Sequence, residues 1–307
     1  MGDRVADVWP PLPLEPWAET NATLHMWAQI VGKIRLIESP PINHTWHSTL
    51  YVTSRGLTTS PVPHDSKVYQ LDFDFIDHRL ICTTSAGGRA FVALEPQTVA
   101  RFYARTMEML RSLGLDVRIH GRPNEVPEAI PFAEDETHSA YDAEAVARFW
   151  RVLVQCDRVL KRFRSGFIGK CSPVHFFWGA MDLAVTRFSG RTAPEHPGGI
   201  PNLPDRVARD AYSHEVSSAG FWAGGGPIAY PVFYSYAYPE PGGFSEHPVR
   251  PPQAFYSADL REFILPYDAV RTAADPDRTL LEFLESTYAV AADLAQWDRA
   301  ALEQRPG

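Results

Sequence analysis

The chain has 307 residues and a net charge of −8, with 37 aspartates and glutamates against 29 lysines and arginines. That length can bury a substantial core, and 45% hydrophobic and 12% aromatic residues exclude a disordered chain. The acidic balance argues against a nucleic-acid partner, whose recognition rests on neutralising phosphates, and without a run of 18 apolar residues a membrane span is not expected.

The N-terminal residues lack a charged region followed by an apolar one, and Ala6 stands where a myristoylation signal has Ser or Thr. Cys82, Cys156 and Cys171 have no redox or metal spacing and suit a reducing compartment, so a cytoplasmic protein is expected. The 27 prolines cluster in connections such as Pro194 to Pro204, which predicts long, stiff loops.

In chain order, Thr20 to Ile37 predicts a helix with Leu24, Trp27, Val31 and Ile34 in one apolar stripe and His25, Gln29 and Lys33 as a polar file. Trp46 to Arg55 predicts a strand. Tyr69 to Asp77 alternates, with Tyr69, Leu71, Phe73 and Phe75 facing one way. Residues 80–83 and 89–94 flank Ala86-Gly87-Gly88 as a hairpin. Pro96 and Gly114 bracket a second helix, and 116–119 is a short strand candidate. A Pro-rich acidic connector spans 122–138. Asp142 to Arg164 predicts a long helix, followed by strand candidates at 174–188, 212–222, 229–237 and 262–266. A last helix opens with Asp275 as N-cap and Pro276 behind it and runs to about Leu294.

Strands that arrive in runs, not as alternating βαβ units, predict an α+β fold with antiparallel sheets and helices packed on one face. The whole chain, 1–307, reads as one unit. Both halves, 1–121 and 139–307, follow the order helix, strands, helix, so a diverged duplication with a pocket at its seam is one reading.

The densest chemistry lies between Arg148 and Arg191. Arg148, Arg151, Arg158 and Arg162 form one stripe; Arg forks bind carboxylate or phosphate, and a solvated face is the alternative. Gly166 to Ser172 approximates a phosphate loop but puts Cys171 where a hydroxyl residue is needed and follows a helix, which excludes that motif. On the 174–188 strand, His175 and Arg187 share a face and Asp182 takes the other, so a His175–Asp182 dyad requires a bulge at Gly179. His214 is the second candidate base. The expected catalytic residues are His175, His214 and Asp182, and the expected substrate-binding residues are Arg187, Lys170, Arg162 and Trp178. His44 and His47 lack an evident third ligand, so no metal is expected. No sequence signature implies a cofactor.

The strings Leu24 to Lys33, Phe73 to His78, Lys170 to Gly179, Asp182 to Gly190 and Tyr212 to Ser218 resemble those of an uncharacterised bacterial family, a domain of unknown function. The resemblance spans nearly the whole chain and implies one family unit, with no activity or site residues to carry over. The residues themselves lead to three readings: an enzyme acting on a small anionic metabolite by histidine acid–base chemistry, a small-ligand binding or regulatory module, and a protein-interaction protein.

Overall fold

The long apolar helices form where the sequence places them to within a few residues, because each has a stripe to bury and three of the four have a side-chain cap at the start. A computed structural model describes residues 8–304; the N-terminal readings up to Ala6 lie outside the described residues. Helix α1 covers Ala18–Glu38, α2 Val99–Ser112 and α3 Ala143–Ser165. Thr98 caps α2 by accepting from the Arg101 N–H, and Asp142 caps α3 by accepting from the Glu144 and Ala145 N–H groups. Helix α4 covers Asp205–Ala211, α5 Tyr267–Arg271, α6 Pro276–Leu294 and α7 Arg299–Leu302. Asp275 caps α6 with Pro276 in its first turn.

The strands form two antiparallel sheets, so the fold is α+β. The first sheet holds β1 (Tyr51–Val52), β2 (Gly56–Thr58), β3 (Val62–His64), β4 (Lys67–Asp74), β5 (Arg79–Thr84) and β6 (Arg89–Ala93). Its order is β1-β2-β4-β5-β6, with β3 also paired to β4. The second holds β7 (His175–Phe177), β8 (Asp182–Thr192), β9 (His214–Trp222), β10 (Val232–Tyr238), β11 (Phe255–Ser257) and β12 (Glu262–Pro266), in the order β11-β12-β10-β9-β8-β7. The sheets meet where Leu50 and Phe176 exchange backbone hydrogen bonds of 2.9 and 2.8 Å. A cavity of about 200 Å³ opens near this seam, lined by Tyr51, Val52, Asp157, Lys161, Arg164, Pro173 and Val174.

One continuous core runs through both halves. Leu183, Val185, Phe221, Phe233 and Leu265 on the inner face of the second sheet belong to it, together with Leu153, Cys156 and Leu160 of α3 and Phe283 and Leu284 of α6. The outer face carries a small separate cluster of Ala184, Val232, Tyr234 and Ile264. The 122–138 connector reaches the hairpin of this sheet, where a Cβ on Gly179 would stand 2.0 Å from Glu125 Oε1.

Three sequence expectations are corrected. The expected strand at 46–55 is mostly absent: it follows a one-turn helix, Asn43–Thr45, residues 46–48 turn, and only Tyr51–Val52 forms a strand. Residues 116–119 form no strand. The 174–188 stretch is not one strand; residues 178–181 turn, and Met181 takes a left-handed φ of 60°. That hairpin pairs His175 with Ala184 and Phe177 with Asp182. Cross-strand partners share a face, so His175 and Asp182 end on the same side without any bulge.

Candidate functional site

The outer face of the second sheet gathers the least expected chemistry. Its rows follow from the register: Ala184, Gly220, Tyr234 and Ile264 form one, and Thr186, Ser218 and Tyr236 the next. Gly220 lies between Tyr234 and Asp182. A Cβ there would stand 2.5 Å from the Tyr234 hydroxyl oxygen and 2.3 Å from the Leu183 carbonyl oxygen. The missing side chain is therefore the gap through which the Tyr234 hydroxyl crosses β9 and donates to Asp182 Oδ2. Tyr212 and Tyr236 join hydroxyls at 2.9 Å, the Thr186 and Ser218 hydroxyls meet at 2.9 Å, and the His196 ring stacks on Tyr212 at 4.7 Å.

Two glutamates share this neighbourhood. Glu262 opens β12. Glu125 comes from the Pro-rich connector and takes a left-handed φ of 59°, a conformation that costs a non-glycine residue on the order of 1 kcal/mol or more. Its neighbours hold it there: the Glu125 N–H donates to Pro201 O (3.1 Å), Asn202 Nδ2 donates to Val126 O (2.6 Å), and Asn124 exchanges hydrogen bonds with Gln29 (2.7 and 2.8 Å). The His25, Gln29 and Lys33 file of α1 thus faces inward onto the connector. Gln29 and Lys33 are buried, and burial lowers Lys33 to about 8.

Burial, the largest cause, raises Asp182 to about 6 against the opposing hydrogen bond from Tyr234. Burial and then the charge of Asp182 raise Glu125 and Glu262 to about 7 each. Asp182 is 9% exposed; the two glutamates keep more solvent contact, which tempers the effect on them. None of the three forms an ion pair among the described residues. Carboxyl groups poised near neutrality, beside hydroxyl donors, are equipped to give and take protons. Among the described residues no group of three or more His, Cys, Asp or Glu side chains could hold a metal ion.

The other expected residues are dispersed. His175 is 0% exposed; its Nδ1 lies 2.7 Å from the Thr49 hydroxyl, its Nε2 has no partner among the described residues, and burial lowers it to about 3. Trp46 and His44 link the His175 ring to the His214 ring through contacts of 5.6, 5.2 and 5.9 Å. Trp178 bolts the hairpin to α1: its indole N–H donates to Ser48 O at 2.7 Å, and a Cβ on Gly32 would fall 2.1 Å from its ring.

The basic candidates divide. Arg187 is buried in a cage of Phe163, Phe167 and Tyr288, with its guanidinium carbon 3.5 Å from the Phe163 ring centroid. It donates to the Phe163 carbonyl at the C-terminal end of α3, and burial lowers it to about 10. Arg162 is expected to bind substrate. Its side chain is instead 59% exposed and sits 3.6 Å from Asp277, at the start of α6. Arg158 makes a two-pronged pair with the same carboxylate, so the stripe faces α6 and solvent. Lys170 donates to His44 Nε2 at 2.6 Å.

Glu125, Glu262, Tyr212, Tyr234 and Tyr236 escaped the sequence reading. The i, i+2, i+4 tyrosines 234, 236 and 238 were a visible one-face signal. Nothing local marks Glu125, whose place is set by contacts with residues some 95 positions away in the sequence.

The fold and this face together define an α+β protein of two antiparallel sheets with a carboxyl–tyrosine site on the outer face of the second. The chain belongs to a family of unknown function, DUF5996, whose profile matches residues 9–304. No match was found among curated proteins or among solved structures. Among the described residues no helix is long and apolar enough to cross a membrane.

Proposed function

We propose that the chain is an enzyme that transfers protons on a small polar molecule held against the tyrosines of the second sheet. The observation that carries this reading is Asp182 joined to Tyr234 on a face of hydrogen-bonded tyrosine hydroxyls, with Glu125 and Glu262 within reach of its charge and no ion pair to any of the three among the described residues. Glu125 and Glu262 serve as the acid and the base, since a carboxyl group raised to about 7 exchanges a proton readily at neutral pH. Asp182 with Tyr234 is the positioning pair. Three carboxyl groups repel an anion, so the substrate is a neutral hydroxyl-bearing molecule or an amine, and the anionic metabolite anticipated from the basic helix does not suit this face. The buried imidazole of His175 is not the base in this reading.

A thermal-shift screen tests it, with polyols and sugars, small amines, and inorganic phosphate or citrate as separate arms. A neutral or amine compound should raise the Tm of the wild type and lose that effect in Glu262→Gln, which keeps the side-chain shape. Stabilisation by the anion arm alone would overturn the reading. Product formation from a stabilising compound separates an enzyme from a binding module that uses the same face.

A further inference from the structure

Of 29 basic residues, only Lys33, Lys67, Lys161 and Lys170 are lysines. Lys33 is buried against Asn124, Lys161 pairs with Asp157 at 2.6 Å, and Lys67 is exposed on β4. Lys170 is also exposed, yet its partner is an imidazole. Its Nζ lies 2.6 Å from His44 Nε2, and no carboxylate among the described residues pairs with it. His44 is 4% exposed, and its Nδ1 lies 3.0 Å from the Asp210 carbonyl oxygen. A carbonyl only accepts, so Nδ1 carries the hydrogen and Nε2 presents its lone pair to Lys170.

The loop is built to hold that ring. His44 and Thr45 both take left-handed φ, 60° and 58°, and the Thr45 N–H donates to Asp210 Oδ2 at 3.1 Å. Strain of this kind persists where the surroundings over-determine it and is concentrated at functional sites. Trp46 and Phe188 form aromatic walls, with Nζ 5.5 and 4.9 Å from their ring centroids. An amine, a base within hydrogen-bonding reach and a third group that orients the base reproduce the arrangement of an activated nucleophile.

We propose that Lys170 is a reactive amine that condenses with a small aldehyde, with His44 as its proton acceptor. His44 Nε2 takes a proton from the Lys170 ammonium, and the free amine nitrogen attacks the carbonyl carbon; a C–N bond forms and the C=O π bond opens. The resulting alkoxide oxygen takes one proton from the nitrogen and a second from His44, and leaves as water. Ammonium plus aldehyde gives protonated imine plus water, so atoms and charge balance without an oxidant or reductant. The iminium keeps its positive charge over Phe188 and Trp46, whose faces stabilise a cation, and flat walls favour a planar, aromatic aldehyde. Burial also lowers the pKa of Lys170 from its ordinary 10.5, which enlarges the reactive free-amine fraction. The inference is independent of the carboxyl site.

The full chain is incubated with benzaldehyde and sodium cyanoborohydride at neutral pH, and benzylation at each lysine is followed by peptide mass spectrometry. Lys170 should be labelled at least tenfold faster than Lys67, its exposed reference within the same molecule. His44→Gln, checked for fold by circular dichroism, should reduce the ratio to near one. Equal rates at Lys67 and Lys170 in the wild type would overturn the proposal whether or not the variant folds, and so would an unchanged ratio in a folded His44→Gln.

Discussion

Asp182→Asn should make the protein more stable in alkaline than in acidic buffer relative to the wild type. Asp182 is 9% exposed and is raised from 3.8 to about 6, so the folded state holds its proton where the unfolded state has lost it. Ionisation therefore costs stability as pH rises: the penalty is absent below about pH 4, grows through the interval from 3.8 to 6, and is complete above it. At about 1.36 kcal/mol for each tenfold change in proton affinity, the full penalty is about 3 kcal/mol. Asparagine keeps a side-chain oxygen for the Tyr234 hydroxyl and cannot ionise. Urea denaturation should give the variant an advantage of about 3 kcal/mol at pH 8, about half of that at pH 5 and nearly none at pH 4. Removing Asp182 also removes a charge that raises Glu125 and Glu262, so both should titrate lower in the variant. A gain in stability joined to a loss of turnover would mark a group kept for function at a cost to the fold. An advantage that does not change between pH 4 and pH 8, or a variant less stable at both, would refute the burial argument.

Gly220→Ala places a methyl group against the Tyr234 hydroxyl and the Leu183 carbonyl, so it should cost about 2 to 4 kcal/mol through overpacking and the displaced hydrogen bond; a denaturation midpoint equal to that of the wild type would contradict the register argument. Arg187→Met should be milder than Arg187→Lys by about 1 kcal/mol or more, because methionine fills the Phe163, Phe167 and Tyr288 cage without stranding a strongly hydrated ammonium. Melting curves that rank the two the other way would show that charge, not packing, holds the cage. The double variant Arg158→Gln, Arg162→Gln loses the pairs to Asp277, whose arginine side chains are 45% and 59% exposed, and should shift stability by less than about 1 kcal/mol; a larger loss on chemical denaturation would mean that these pairs anchor α6.

The helices were legible because their signals are local. Asp142 and Asp275 cap where the sequence places them or within one residue of it, whereas the helix expected from Pro96 begins three residues later, at Val99 behind the Thr98 cap; the apolar stripes follow the helical period. The alternation of Tyr69, Leu71 and Phe73 gave β4 its faces. Trp46 to Arg55 misled because aromatic and β-branched residues favour extended chain, yet Arg35 claims backbone groups of this segment by donating to the carbonyls of His47 and Thr49, and Asp210 holds the turn just before it through the Thr45 N–H. Likewise a strict alternation drawn through 174–188 could not reveal the turn at 178–181, where Trp178 gives up strand geometry to pack on Gly32.

The sequence by itself determined the α+β class, the antiparallel runs and the long helices, since propensity, capping and periodicity act over a few residues. Which groups meet was decided only by the tertiary structure. Asp182 from β8 meets Tyr234 from β10, and Glu125 from a connector and Glu262 from β12 come within reach of its charge, because sheet register and two clasped loops bring distant segments together; burial raises all three carboxyl groups, and the charge of Asp182 adds to this on the two glutamates. His175, by contrast, has the chemistry of a base but is sealed beneath Trp46 and Tyr51, because the same hairpin that gives it Asp182's side of the sheet also packs it into the seam.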